Sequence, residues 1–247
     1  MYDEALKQCL IKLVYNLREN KNNGRKEVTL FLGAGCSLSS SKKDITTYAI
    51  IKDIVKNHSL PNENIPDNWS DLYQQFVDYA WNGQGRRDRI HMLETYFKDM
   101  EPSKGYRLVR FLVENNYINN IITTNFDLML DEVFTGLSYN LQVGNMKYVI
   151  GEDPQFTLLK AHGDIRYGHL RFAPSELYRL PDEIGSEIRK LTNGIVIIAG
   201  YRAQDMGIIQ ALNESDEHCS YWITYNEPNY YSDYETGPIY SWMTKRG

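Results

Sequence analysis

Two stretches, Val28–Leu32 and Gly194–Ala199, are strand-forming at nearly every position, and each runs into a glycine, Gly33 and Gly200. Continuous apolar runs bounded by turn residues predict buried strands of a parallel sheet. Shorter runs predict further strands over 117–123, 141–143, 148–150, 156–159 and 220–224. Other segments show helical spacing. Ala5, Leu6, Cys9, Leu10, Leu13, Val14 and Leu17 predict an amphipathic first helix packed on a core. From Ile45 to about Phe111 the spacing predicts four helices: one over 45–55, one marked by Leu72, Phe76, Tyr79 and Ala80, one by Ile90, Leu93, Tyr96, Phe97 and Met100, and one by Leu108, Val109, Leu112 and Val113. Pro102 stands near the start of the last, where proline is tolerated. Phe126, Met129, Leu130, Val133 and Phe134 mark one more. Strands alternating with helices predict an α/β fold: a Rossmann-like, mostly parallel sheet with helices on both faces and a helical insertion after the first strand. The expected organisation is one domain over 1–247, with the helical subdomain at about 40–113.

In open sheets of this class ligands bind beyond the carboxyl ends of the strands. Four strand ends carry distinctive residues: Gly33-Ala34-Gly35-Cys36-Ser37, Thr123-Thr124-Asn125-Phe126-Asp127, Lys160-Ala161-His162-Gly163-Asp164 and Gly200-Tyr201-Arg202-Ala203-Gln204-Asp205. The glycines after the first strand allow a sharp turn and close approach of a ligand to backbone, and a following helix would offer N–H groups to an anion such as a pyrophosphate. The dinucleotide fingerprint is incomplete, because position 38 is Leu38 rather than glycine. An ordinary glycine turn is the other reading. Thr124 or Asn125 could equally cap a helix with Asp127 in its first turn, and His162 could be a hydrogen-bonded core histidine. The block from Asn82 to Arg89 holds three arginines, a contact for a phosphate or a partner, or a solvated loop leading into a helix.

The 247 residues carry a net charge of −5, which argues against a nucleic-acid-coating role. The three cysteines, Cys9, Cys36 and Cys219, form no Cys-x-x-Cys pair, so a four-cysteine zinc site cannot be built. Their number and spacing fit a reducing cytoplasm. Charges interrupt the N-terminal segment, unlike a signal peptide, and no apolar run reaches the roughly 18 residues of a membrane span.

Taken in order, Gly-Ala-Gly-x-Ser, then Thr-x-Asn-x-Asp, then His-Gly, then a strand ending in glycine resembles the sirtuin-like NAD-consuming domains, over about residues 25–226. The departures separate it from the protein-deacylating branch: Leu38-Ser-Ser-Ser-Lys-Lys-Asp follows the glycine turn, the zinc ribbon is missing, and Thr124 precedes Asn125 where that branch has Gln. The resemblance implies the bacterial NAD-hydrolase branch that acts in anti-phage defence by depleting NAD. It implies NAD as substrate and no metal. Gly33, Ala34, Gly35 and Ser37 would hold the pyrophosphate, with Thr124, Gly200, Tyr201 and Asp205 also against the dinucleotide. Asn125 would orient ribose hydroxyls or water, Asp127 would position Asn125 or touch the nicotinamide end, and His162 would serve as general base, its usual pKa of about 6.5 suiting neutral pH. Arg202 would contact the adenosine phosphate side or block it. Cys36 reads as a small filler rather than a nucleophile.

A non-catalytic NAD or ADP-ribose sensing module is the alternative on the same fold. A reductase would need a fuller glycine fingerprint, and a deacylase the zinc ribbon and the Gln. Control is expected from a separate regulatory or sensor protein or from a homo-oligomer. The acidic, tyrosine-rich stretch Asn226–Tyr240 is a candidate for binding that partner or covering the crevice, or a surface loop.

Overall fold

In the computed structural model, which describes residues 2–58, 65–203, 205–215, 217–223 and 238–246, the run Val28–Leu32 forms β1 and is buried at every position. The other strands are β2 (Asn120–Thr123), β3 (Tyr139–Val143), β4 (Met146–Ile150), β5 (Phe156–Lys160), β6 (Ile195–Ala199) and β7 (Ser220–Ile223). They form one sheet in the order β4-β3-β5-β2-β1-β6-β7. Every neighbouring pair is parallel except β3 and β4, which pair antiparallel across the tight turn at Gly144. This is the expected α/β class, a Rossmann-like and mostly parallel sheet.

Both faces of the sheet are covered, and alternation along the strands sorts the side chains between them. Val28, Leu30, Leu32, Ile121, Leu158, Ile195 and Ile197 face one core. That core is closed by α2 (Thr47–His58), α3 (Trp69–Phe76), α4 (Arg86–Phe97), α5 (Lys104–Glu114) and α6 (Met129–Val133), through residues such as Ile51, Phe76, Leu93, Val109 and Leu130. Phe31, Ile122, Leu159, Val196 and Ile198 face the second core. There Ile184 and Ile188 of α8 (Asp182–Leu191), Ile208 of α9 (Met206–Ala211) and Trp242 of α10 (Pro238–Lys245) pack on them. Each fully buried aliphatic side chain contributes about 1.5–3 kcal/mol. Thr29 is polar within buried β1 because its hydroxyl donates to the Leu191 carbonyl at the end of α8.

The helices α2 to α5 lie between β1 and β2, with a π-helical turn over Val77–Trp81 directly after α3. The predicted strand 117–123 begins only at Asn120, because the amides of Tyr117 and Ile118 still bond the Leu112 carbonyl at the end of α5. The periodicity did not mark α8, α9 or the short α7 (Pro174–Tyr178). The first helix, α1 (Tyr2–Asn22), corrects an expectation: only Leu13 and Leu17 of its predicted stripe pack on the core, while Leu6, Leu10 and Val14 are about half exposed. Most of Asn226–Tyr240 lies outside the described residues, so its expected role has no structural account. Among the described residues no helix is long and apolar enough to cross a membrane.

Candidate functional site

Sheet register brings the four motifs to one edge. Thr123 pairs with Leu32 and Lys160, and Leu32 pairs with Ala199, so the carboxyl ends of β5, β2, β1 and β6 are level. Bonding continues past them: Ala161 N–H donates to Thr123 O at 2.9 Å, Thr124 N–H to Leu32 O at 3.3 Å and Gly33 N–H to Ala199 O at 2.9 Å. His162, Asn125, Ala34 and Tyr201 therefore stand two residues beyond a level row, with His162 and Asn125 on adjacent strands. From β1 the chain proceeds to β2 on one side, and from β6 to β7 on the other, which makes the β1–β6 junction the topological switch point.

At that junction two loops lock together. A Cβ on Gly33 would come within 2.5 Å of Gly200 O and Tyr201 Cα, so only glycine fits. Gly200 adopts φ +63° under the Cys36 backbone. Gly35 N–H donates to Gly200 O at 2.9 Å. The expected pyrophosphate cradle is thus corrected in part: the amides of Gly33 and Gly35 already have protein partners, because the end of β1 continues its pairing with the end of β6. Ala34 and Gly35 are exposed on the outer side of this turn, at the start of a 3-10 helix over Ala34–Ser40. Burial, and next the Asp127 charge, push the Cys36 thiol up to about 11, which keeps it protonated at neutral pH and agrees with a filler.

Asn125 sits in a buried polar cluster. Its Nδ2 donates to Ser37 Oγ at 2.9 Å, Gly33 O at 3.2 Å and Tyr106 OH at 3.3 Å. Ser37 Oγ donates its single proton to Asp127 Oδ2 at 2.6 Å, so Tyr106 OH, 2.7 Å away, donates to Ser37. The Ser37 hydroxyl is consequently bound to protein and not free for a phosphate, a second correction. Asp127 Oδ1 accepts from Met129 N–H at 3.0 Å, which starts α6. Asp127 therefore positions Ser37, and through it Asn125. Burial raises its pKa above the usual carboxylate value, against the opposing hydrogen bonds of Ser37 and Met129. Asn125 N–H donates to Thr123 Oγ1 at 3.1 Å, and α6 starts only at Met129 with Leu128 at its N-cap position, so neither Thr124 nor Asn125 caps it. Asn125 Oδ1 is buried and has no partner.

The neighbouring side chain, His162, is 4% exposed and its Nε2 is likewise buried without a partner. It is not the hydrogen-bonded core histidine of the alternative reading. Burial moves its pKa below the usual value, with Asp205 acting in the opposite sense and Arg171 in the same sense. Asp205 accepts from Tyr201 OH at 3.1 Å. Tyr201 itself belongs to the second core, its ring centroid 4.6 Å from that of Phe31. Thr124 is half-buried and Arg202 exposed.

Beneath both halves lies an ion cluster that the motifs did not reveal. Lys160 is fully buried; its ammonium donates to Asp131 and, at 2.7 Å, to Asp164 Oδ2. Burial works against its charge, but the two carboxylates prevail and raise its pKa. The signal available was a lysine closing an apolar strand, four residues before Asp164. Tyr106 had no such signal, since a tyrosine on the apolar face of a helix reads as core. Among the described residues no group of three or more His, Cys, Asp or Glu side chains could hold a metal ion. Two described cavities, of about 360 and 290 Å³, are lined by other residues, the larger by Gln84, Arg86, Arg89, His169 and Leu170.

No protein-family model matches the sequence, and no curated protein matches it. Among solved structures, the chain is similar to a Sir2 variant described with deacetylated p53 peptide and 3'-O-acetyl ADP-ribose, at 14% identity and a TM-score of 0.43, over 87% of this chain and 89% of that one.

Proposed function

We propose that this chain hydrolyses NAD at the bond between nicotinamide and ribose. The observation that carries the reading is the pair of buried, unpartnered atoms, Asn125 Oδ1 and His162 Nε2, on residues two positions past the paired ends of adjacent strands. Each such atom left unsatisfied costs about 1–3 kcal/mol, and two together at a strand-end edge fit a site shaped for polar ligand groups. When the glycosidic bond breaks, its electron pair neutralises the positively charged nicotinamide ring, and an oxocarbenium-like ribosyl centre remains. Asn125 Oδ1 would accept from a ribose hydroxyl or from the attacking water, held in place by the three bonds of Nδ2. His162, with its pKa lowered by burial, is neutral at pH 7 and would take the proton from water as the new C–O bond forms. Asp127 acts as a positioning residue through Ser37. The exposed Ala34–Gly35 turn and Asp205 would meet the phosphate and adenosine side.

The motif order supports a role as an effector of bacterial anti-phage defence that depletes cytoplasmic NAD. An enzyme of this kind needs control, by a regulatory protein or by self-assembly. The exposed Leu6, Leu10, Ile11 and Val14 of α1 support such an interface. A second reading is a module that binds NAD or ADP-ribose without cleaving it, since Asn125 Oδ1 and His162 Nε2, buried and unpartnered, would equally hold the polar groups of a bound ligand.

Incubating the purified protein with NAD and separating the products by chromatography tests the proposal. Nicotinamide with linear or cyclised ADP-ribose is expected, and folded Asn125→Ala and His162→Ala proteins should release neither. Folded variants that consume NAD at the parent rate would remove both residues from the mechanism, and NAD binding without nicotinamide release would favour the second reading.

A further inference from the structure

The arginine-rich block 82–89 is not used by the proposed NAD chemistry, yet two of its arginines line the larger cavity, about 360 Å³, with Gln84, His169 and Leu170. Pockets for small organic ligands begin at about 300 Å³, so the space exceeds what a single small ion needs. Both cations are held in place from below. Arg86 donates to the Tyr167 carbonyl, and its guanidinium crosses Gly168 so closely that a Cβ there would overlap Nε. Gly168 belongs to a loop fixed by Asp164, whose Oδ1 accepts from the amides of Arg166 and Tyr167 at 3.0 and 2.6 Å. Arg89 lies 4.4 Å from the Trp81 ring centroid and donates to Glu176 Oε1 at 2.8 Å.

The charges around this cavity do not balance. Glu176 already accepts from Trp81 Nε1 and from the amides of Phe172 and Ala173 as well as from Arg89. Arg89 Nε is buried with no partner, its Nη2 donates to the Trp81 carbonyl at 3.3 Å, and Arg86, on the exposed side, is anchored through the Tyr167 carbonyl with further donors left on its guanidinium. His169 is held toward its neutral form by burial and then by Arg86 and Arg171, which shows the positive field there. Fixed guanidinium groups with spare donors match phosphate oxygens in geometry and charge.

We propose that this cavity binds a diphosphate-bearing small molecule, with Arg86 and Arg89 as its principal contacts. The cavity is lined by residues other than Asn125 and His162, and the inference does not rest on NAD cleavage.

Isothermal titration of the whole protein with inorganic pyrophosphate, with ADP and with adenosine tests it. Pyrophosphate and ADP should each show one site that Arg86→Gln weakens, apart from any binding at the Asn125–His162 edge, and adenosine should show no Arg86-dependent binding; ADP much tighter than pyrophosphate at that site would identify a nucleotide as the source of the diphosphate. Arg86→Gln should weaken pyrophosphate about tenfold or more. Gln84→Glu, an exposed position that places a carboxylate at the cavity without touching the Arg86 anchor, should do the same. Arg87→Gln, next along the helix but not on the wall, should change binding less than twofold. Absence of pyrophosphate binding by the folded parent at millimolar concentration, or parent-like binding in either Arg86→Gln or Gln84→Glu, would overturn the proposal.

Discussion

The two residues at the centre of the candidate site are neighbours on the sheet edge, but they are held in opposite ways. Asn125 spends its whole amide donor capacity on protein: Gly33, Ser37 and Tyr106 all accept from it, and Asp127 anchors Ser37. His162 has its Nε2 buried without a partner among the described residues, with the charges of Asp205 and Arg171 acting on the ring. The contrast separates two jobs. A network whose members are satisfied fixes an orientation, and a buried group left without a partner keeps its bonding capacity for something else. Asn125 does both, with its nitrogen fixed and its oxygen unpaired.

The largest effect expected from breaking this pair is on turnover. His162→Ala removes the proposed general base and should cost roughly 100- to 10,000-fold, and Asn125→Ala should cost at least about 100-fold, measured as nicotinamide release. Next comes the layer that both halves share. Lys160 reaches Asp164 on the His162 loop and lies 3.5 Å from the Asp127 carbonyl on the Asn125 loop. Lys160→Met would leave Asp131 and Asp164 buried without their cation and should destabilise the fold by about 3–5 kcal/mol, read from urea unfolding.

A smaller effect sharpens the contrast. Asn125→Leu strips Ser37, Tyr106 and the Gly33 carbonyl of a donor and should cost about 1–3 kcal/mol of stability. His162→Leu removes a buried nitrogen that has no partner, and should leave stability unchanged or raise it by up to about 1–3 kcal/mol. Equal losses for the two would erase the distinction.

The smallest effects are in pH dependence, where the halves have opposite sign. The folded His162 pKa lies below its unfolded value near 6.5, so on acidification the unfolded chain takes up the proton first. The stability linked to His162 is complete above pH 6.5 and is lost as pH falls toward the folded pKa. The folded Asp127 pKa lies above its usual 3.8, so the folded chain takes up that proton first, and the contribution of Asp127 rises as pH falls toward 3.8. Unfolding midpoints measured from pH 7 to pH 4 should show a weaker acid loss in His162→Leu than in the parent, and a weaker acid gain in Asp127→Asn.

Much of the fold was legible because buried parallel strands announce themselves as apolar runs; β1 and β6 are the clearest. The packing of α1 was not legible. Periodicity shows that a helix has an apolar side, not what covers it, and Leu6, Leu10 and Val14 found no cover within the described residues. At the site, the strand-end motifs marked where chemistry would gather, but not which bonds each group would spend on the protein. The Gly33 amide extended the pairing with β6 one residue past the last ladder pair, and the Gly35 amide went to Gly200 where the two loops lock together. Tyr201 went into the core against Phe31, a choice set by the local path of the chain after Gly200. Tyr106 came from a helix with no motif, brought in by packing, while Lys160 opened a strand-end motif whose ion pairing with Asp131 and Asp164 the motif did not reveal.

The central claim is that the Asn125 oxygen and the His162 nitrogen serve one ligand. Titrating ADP-ribose into protein labelled with nitrogen-15, while following the Asn125 side-chain amide and the His162 imidazole resonances, addresses this directly. Both should shift, and both should saturate at the same ligand concentration. Saturable binding that leaves the two resonances unmoved, or moves only one, would contradict the account.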